Sequence, residues 1–202
     1  RDSSSGGNVP RASIRGIRHA QDLSSLSDVH LATLSFISFS VIEEAVFLPL
    51  RGSIERLQPS SNGDRDEQVV KRMKHFRKRK QIDWGVPEDF VSPLNWESAT
   101  FELSGLERAS TPSMQLMALA RACKAIMAEF KNAVLPELKR KGTRDAYLGA
   151  DNLVPIFVYV FCRSNLKSPN LYKEIMWTLC HPDQLHGESG YYLTVFESTI
   201  EF

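Results

Sequence analysis

Two short strings in the C-terminal half carry the residue types best suited to engage another molecule. They are Leu148-Gly149-Ala150-Asp151-Asn152-Leu153-Val154-Pro155 and Gly187-Glu188-Ser189-Gly190-Tyr191-Tyr192-Leu193-Thr194. Each sets glycine and a polar group beside apolar bulk, as a surface does when it must accept a partner. Asp151 admits two readings. An aspartate where a helix begins accepts backbone N–H groups as an N-cap or turn residue. Gly149 would relax the preceding turn, and Pro155 supports a helix start close by, because proline lacks the donor that only a first turn can spare. The same carboxylate, flanked by almost no side chain at Gly149 and Ala150, can also protrude into a partner. Tyr191 and Thr194 are three apart and share one face of a helix, either as a half-buried aromatic with a neutral neighbour or as a contact surface.

Covalent chemistry finds no visible machinery. The sequence lacks a Gly-rich phosphate loop, a His-Glu-x-x-His motif and a Gly-x-Ser-x-Gly elbow. Cys180, His181, Asp183 and His186 are metal-ligand types, but their spacing is not that of a zinc finger and no second cluster completes four ligands. They read as structural or loop residues, and neither a metal site nor a cofactor is expected. The densest charge block is Lys71-Arg72-Met73-Lys74-His75-Phe76-Arg77-Lys78-Arg79-Lys80. It has the composition of a nuclear-localisation signal, a nucleic-acid stripe or a patch for anionic lipid. The plainer reading is a solvated helix face with Met73 and Phe76 turned inward.

Charge is nearly balanced, 25 Lys+Arg against 24 Asp+Glu. No global field therefore argues for nucleic acid or an anionic membrane. The cysteines Cys123, Cys162 and Cys180 are odd in number and sit in or beside apolar runs, as reduced buried thiols do; this favours the cytosol over a disulfide framework. The chain opens without Met on polar residues, and it is expected to be a piece of a longer protein. The longest uninterrupted apolar run, 153–162, falls short of the roughly 20 residues of a spanning helix. Residues 29–50 are broken by serines and by Glu43-Glu44. The expectation is a soluble domain.

The elements that must position these residues are helical. Residues 1–27, rich in Ser, Gly and Arg, read as a flexible leader. From Asp28, the residues Leu31, Leu34, Ile37, Val41, Ile42, Ala45, Leu48 and Leu50 recur at three- and four-residue spacing, the pattern of a helix burying one face. Pro49 is expected to kink or end it, and Gln58-Pro59-Ser60-Ser61-Asn62-Gly63 to break the chain. Residues 64–81 read as a second helix with the stripe Val69, Val70, Met73 and Phe76. Ser92-Pro93, Thr111-Pro112 and Ser168-Pro169 each look like a helix start, hydroxyl as N-cap and proline first. Leu116, Leu119, Ala120, Cys123, Ile126, Met127 and Phe130 trace a broad buried face. Further helices are expected at about 153–164, 169–180 and 191–202. Residues 156–161 are β-prone in composition, but their length and neighbours favour a buried helix.

In this order and combination, the two strings resemble the signature segments of the Vps-nine domain, found in exchange factors for endosomal Rab GTPases such as Rabex, the Rin proteins and alsin. The likeness is close over 109–202 and loose over about 28–108. It implies an all-α layered helical bundle over 28–202, with an N-terminal helical part at about 28–108 and a signature-bearing core at about 109–202. It further implies a guanine nucleotide exchange factor for Rab-five subfamily GTPases in endosomal trafficking, without covalent chemistry or a cofactor of its own. Asp151 would be an acidic finger entering the nucleotide site, with Pro155, Tyr191 and Thr194 contacting the GTPase around it. The family often has a second acid after the finger, where this chain has Asn152. The implied location is cytoplasmic, peripheral to early endosomal membranes, with weak anionic membrane contact through Lys71 to Lys80 and no nucleic acid. The competing readings are a non-catalytic GTPase-binding module of the same fold and a basic helical membrane adaptor.

Overall fold

The computed structural model describes residues 28–57, 59–142 and 146–202. The expected leader, 1–27, lies outside the described residues. Among the described residues there is no strand, and the β-prone stretch 156–161 is helical. The helices are α1 (Asp28–Leu57), α2 (Pro59–Phe76), α3 (Glu97–Ser104), α4 (Pro112–Glu129), α5 (Leu135–Arg140), α6 (Ala150–Arg163), α7 (Pro169–Leu179) and α8 (Glu188–Glu201). Tight 3₁₀ turns lie at Gln81–Trp84, Glu88–Phe90, Gly105–Glu107 and Pro182–Leu185. The chain divides into two units between Phe39 and Ser40. The described part of the first is the opening of α1, where Leu31, Leu34, Phe36 and Ile37 are exposed.

The second unit is organised around α4, which packs against α3, α6, α7 and α8. Leu116, Leu119, Cys123, Ile126 and Phe130 are buried as their spacing predicts, whereas Met127 is exposed. Trp96, Leu103, Leu119, Ile126, Ile156, Phe157, Leu193 and Phe196 form the fully buried centre. Each such side chain contributes about 1.5–3 kcal/mol through its removal from water. The three thiols are free and buried; desolvation pushes Cys123 and Cys180 up to about 12 and Cys162 to about 11.

The apolar face expected on α1 is not the face it buries. Val41, Ile42, Ala45, Leu48 and Leu50 are exposed, and among the described residues of α1 the buried ones are Glu43 and Phe47. These lie one turn apart on a different stripe. The Ser113 N–H donates to Glu43 Oε1 at 2.7 Å, and Phe47 packs against Leu171 and Ile175 of α7. An orphan donor at the start of α4 therefore fixes which side of α1 turns inward. The helix runs on through Pro49 to Leu57. Its stretch Thr33–Ile54, 22 residues of mean hydropathy 1.5, is long and apolar enough to cross a membrane by length and composition alone. Glu43 and Glu44 at its middle oppose that use, since a carboxylate at the bilayer centre is costly.

Helix α2 also departs from its expected bounds. It absorbs Pro59 to Gly63, read in the sequence as a break, and ends at Phe76. Proline fits a first helical position because its missing N–H would have no partner there. Val69 and Met73 are buried as expected, but Arg77, Lys78, Arg79 and Lys80 lie beyond the helix.

Two of the three Ser/Thr-Pro pairs start helices. Thr111 Oγ1 accepts the Met114 N–H at 3.3 Å. Ser168 makes no capping bond; Asp66 of α2 accepts the Asn170 N–H instead, at 2.7 Å. The third, Ser92-Pro93, does not start a helix. Asn95 and Trp96 take left-handed conformations (φ 55° and 57°), and α3 begins only at Glu97. Such a conformation costs about 1–2 kcal/mol per residue. It is held because buried Glu129 accepts the Trp96 N–H at 2.9 Å and the Ser92 hydroxyl, while Trp96 Nε1 donates to Gln81 Oε1 at 2.7 Å.

Candidate functional site

Helix α6 opens with Gly149 as its N-cap in extended backbone, φ −83° and ψ 175°, without a side-chain capping bond. Asp151 is therefore not the N-cap but the second helical residue. Backbone closes the first turn, with Gly149 O accepting the Asn152 and Leu153 N–H groups at 3.2 and 2.9 Å. The Asp151 carboxylate is exposed and has no hydrogen-bond or ion-pair partner among the described residues. The positive end of the helix dipole favours its charge there by about 0.3–1 kcal/mol. Asn152 beside it is half-buried.

Pro155 is half-buried inside α6, one turn beyond Asp151. Having no N–H, it withholds the helical donor from the Asp151 carbonyl. Side chain and carbonyl of Asp151 are thus both acceptors that the helix does not satisfy.

The second string is built on glycine. Gly187 takes φ +72° ahead of α8, and Gly190 is buried against the last residue of the Pro182–Leu185 turn. A Cβ at Gly190 would lie 1.9 Å from Leu185 O, so only glycine permits this approach. It presents Tyr191, 41% exposed and tilted on the Tyr192 ring at 5.8 Å between centroids. Tyr192 turns inward, where desolvation first of all pushes its phenol up to about 12. Thr194 is exposed and donates its hydroxyl to Gly190 O at 3.0 Å, leaving its oxygen free to accept.

The two helices that carry these residues pack together. Phe157 and Phe161 of α6 meet Phe196 of α8 edge-on, with centroids 6.5 and 5.9 Å apart. Further along both helices, Val158, Phe161 and Cys162 share a small apolar cavity with Thr199 and Ile200. Progress along α6 accompanies progress along α8, so the opening turns, with Asp151 and Pro155 on one and Tyr191 and Thr194 on the other, lie toward the same end of the pair. No hydrogen bond or ion pair among the described residues links the two sets directly.

This end offers a free carboxylate, an exposed aromatic and a hydroxyl acceptor. It has the makings of an anionic probe with a recognition surface, and not of a nucleophile held by a base. Of the metal-type residues, His181 caps the Pro182–Leu185 turn, its Nδ1 accepting the Asp183 N–H at 3.2 Å. That is the loop role its spacing suggests. Sequence reading did not find the Leu185 contact behind Gly190, although the Gly-x-x-Gly spacing was its signal. It also missed the partnership of Arg163 with the basic run.

A sequence model of the family described as "Vacuolar sorting protein 9 (VPS9) domain" matches residues 96–202, more than half of the chain. This is the Vps-nine family that the two strings resemble, and the match begins at buried Trp96. Among similar proteins, mouse "Ras and Rab interactor 2" is 25% identical over 155 residues, 76% of this chain and 16% of that protein. Mouse "Ras and Rab interactor 1" is 33% identical over 109 residues, 54% of the chain and 13% of the relative. "GTPase-activating protein and VPS9 domain-containing protein 1" of Bos taurus is 28% identical over 120 residues, 58% of the chain and 8% of the relative. The chain thus spans about a sixth or less of the length of these relatives.

Proposed function

The chain belongs to the VPS9 domain family, and from that premise we propose that it is a guanine nucleotide exchange factor domain for Rab-five subfamily GTPases. The observation that carries this reading is the exposed, unpartnered Asp151 carboxylate in the first turn of α6. Relatives named Ras and Rab interactors support the choice of partner.

In this reading the GDP-loaded GTPase docks on Pro155, Tyr191 and Thr194, and Asp151 enters its nucleotide site. A P-loop GTPase holds nucleotide through backbone N–H groups, a lysine and Mg²⁺. A carboxylate competes for the lysine, repels the phosphates and disturbs the metal. Near-picomolar nucleotide binding corresponds to about −16 kcal/mol. A 10⁴-fold faster release requires the barrier to fall by about 5.5 kcal/mol. A charge placed in a desolvated site supplies energy of that order, because Coulomb interactions strengthen as the local dielectric falls. A rim contact does not. The domain acts by binding the nucleotide-free intermediate more tightly than the loaded GTPase. Its place of action is the cytoplasmic face of early endosomal membranes.

Release of a fluorescent GDP analogue from a panel of purified Rab GTPases tests the reading. Rab-five subfamily members should be accelerated most. Acceleration of other Rabs alone would change the partner and keep the activity; acceleration of none would refute exchange itself.

A further inference from the structure

Beyond Phe76 the chain turns, with Arg79 N donating to Phe76 O at 3.0 Å. Lys78, Arg79 and Lys80 then line a cleft of about 360 Å³ together with Ile82, Tyr159 and Arg163. Arg163, at the end of α6, comes from 83 residues further along the sequence than Lys80. The cleft therefore joins the basic run to a cation that the run's own spacing does not reveal.

Aromatic rings and backbone hold two of these cations in place without neutralising them. The Arg79 guanidinium lies 4.4 Å from the Phe76 ring centroid and 5.8 Å from that of Trp84. The Arg163 guanidinium lies 5.1 Å from the Tyr159 ring and donates to Arg77 O at 3.4 Å. None of Lys78, Arg79, Lys80 and Arg163 forms an ion pair among the described residues. Two of the nearby acids are otherwise engaged. Asp83 Oδ2 accepts the Lys80 N–H at 2.8 Å. Glu129 holds Ser92 and Trp96, whereas the Glu97 carboxylate, close enough to Tyr159 for its charge to raise that phenol, is the one nearby acid with no partner among the described residues. Tyr159 is buried, its phenol is raised chiefly by desolvation, and its hydroxyl donates to Asn95 Oδ1 at 3.4 Å. Like charges gathered around one cleft repel one another until an anion enters.

We infer that this cleft binds the phosphomonoester groups of a small phosphorylated polyol, such as an inositol phosphate, free or as a lipid headgroup. Guanidinium forks and ammonium groups are the side chains that recognise phosphate. A volume of about 360 Å³ lies within the small-ligand range of about 300–1,000 Å³, which suits one ring and not the stripe that a nucleic-acid strand requires. Exposed Ile82 at the lining adds an apolar contact that a membrane-borne headgroup can use and a free one cannot. Asp151 lies near the other end of α6 from Arg163, about 18 Å away at 1.5 Å rise per residue. A GTPase at that end and a phosphorylated ligand at this one would not exclude each other. The inference does not depend on exchange activity, since its test contains no GTPase.

The test is calorimetry with inositol trisphosphate, paired with co-sedimentation on phosphatidylcholine vesicles carrying either phosphatidylinositol bisphosphate or phosphatidylserine at matched charge. The expected result is binding of the soluble headgroup and preference for the phosphoinositide vesicles. Both should weaken about tenfold in Arg163→Gln, equivalent to about 1.4 kcal/mol. The Lys78→Gln/Lys80→Gln double variant should weaken similarly, and it removes no side-chain contact seen in the structure, so it covers the case in which Arg163→Gln fails to fold. Lys139→Gln on α5 should change neither. Vesicle binding with no soluble binding and an Ile82→Ser loss would assign the headgroup in its lipid form. Binding that tracks vesicle charge alone, or no binding in either arm, would overturn the inference.

Discussion

Gly190→Ala should destabilise the domain, although helix propensity by itself predicts the opposite. Gly190 sits in the first turn of α8, where alanine is favoured over glycine by about 1 kcal/mol. The added Cβ, however, would lie 1.9 Å from Leu185 O and 3.0 Å from Leu185 C. These are backbone atoms that no rotamer change can move. Clearing the contact requires a shift of more than about 1 Å, an overpacking cost of about 1–3 kcal/mol. The shift would also pull the Pro182–Leu185 turn from α4, where the Gln184 amide meets the Ser113 hydroxyl at 2.9 and 3.1 Å. Losing that contact adds about 1 kcal/mol. The net effect is a loss of about 1–3 kcal/mol, or roughly 2–12 °C in Tm at about 2–4 °C per kcal/mol for a domain of this size. Urea and thermal denaturation of wild type and variant measure it. Unchanged or increased stability would refute the close-approach argument and leave propensity as the governing effect.

Three further outcomes follow from the same contacts. Tyr191→Ala should weaken the complex with nucleotide-free Rab by at least about 1–2 kcal/mol, and Thr194→Ala should act in the same direction; calorimetry on folded variants measures both, and unchanged affinity in the two would move the interface elsewhere. Glu129→Ala should cost about 2–4 kcal/mol by orphaning the Trp96 N–H and Ser92 hydroxyl, with most of the loss recovered in Glu129→Gln, as denaturant midpoints would reveal. Burial raises the carboxyl of Asp66 above its ordinary 3.8, more than its bond from Asn170 lowers it. The unfolded chain then releases this proton first, so stability falls as pH rises from about 3.8 through the raised folded value; Asp66→Asn should remove that slope from the pH–stability profile while keeping an acceptor for the Asn170 N–H.

The sequence made the helical class and most of the core legible because burial imposes spacing on apolar residues. Val69 and Met73, and Leu116 through Ile126, are such cases. Spacing on α1 misled, since it reports that a face is apolar and not what covers it. The side of α1 that turns inward is chosen by Glu43 meeting the Ser113 N–H, 70 residues away. The delayed start of α3 was hidden for the same reason: Ser92-Pro93 looks like a cap, but Glu129, 37 residues on, takes the Ser92 hydroxyl. At the candidate site, the positions of Asp151 and Tyr191 on helix-opening turns were readable from local glycines. That Asp151 lies inside the first turn depends on Gly149 serving as the cap, and its carbonyl loses its helical donor to Pro155. The basic cleft was not legible, because Arg163 reaches the run only through the packing of α6.

The most direct test of the exchange account is the rate of fluorescent GDP release from a Rab-five subfamily GTPase with wild type, Asp151→Asn and Asp151→Ala. Asp151 makes no capping bond, and the lost dipole interaction of about 0.3–1 kcal/mol is partly offset by the better helix propensity of alanine. Both variants should therefore melt within about 3 °C of wild type. Both should lose at least about tenfold to a hundredfold in exchange, a barrier rise of about 1.4–2.7 kcal/mol. Wild-type release rates from either variant with the fold intact would contradict the account.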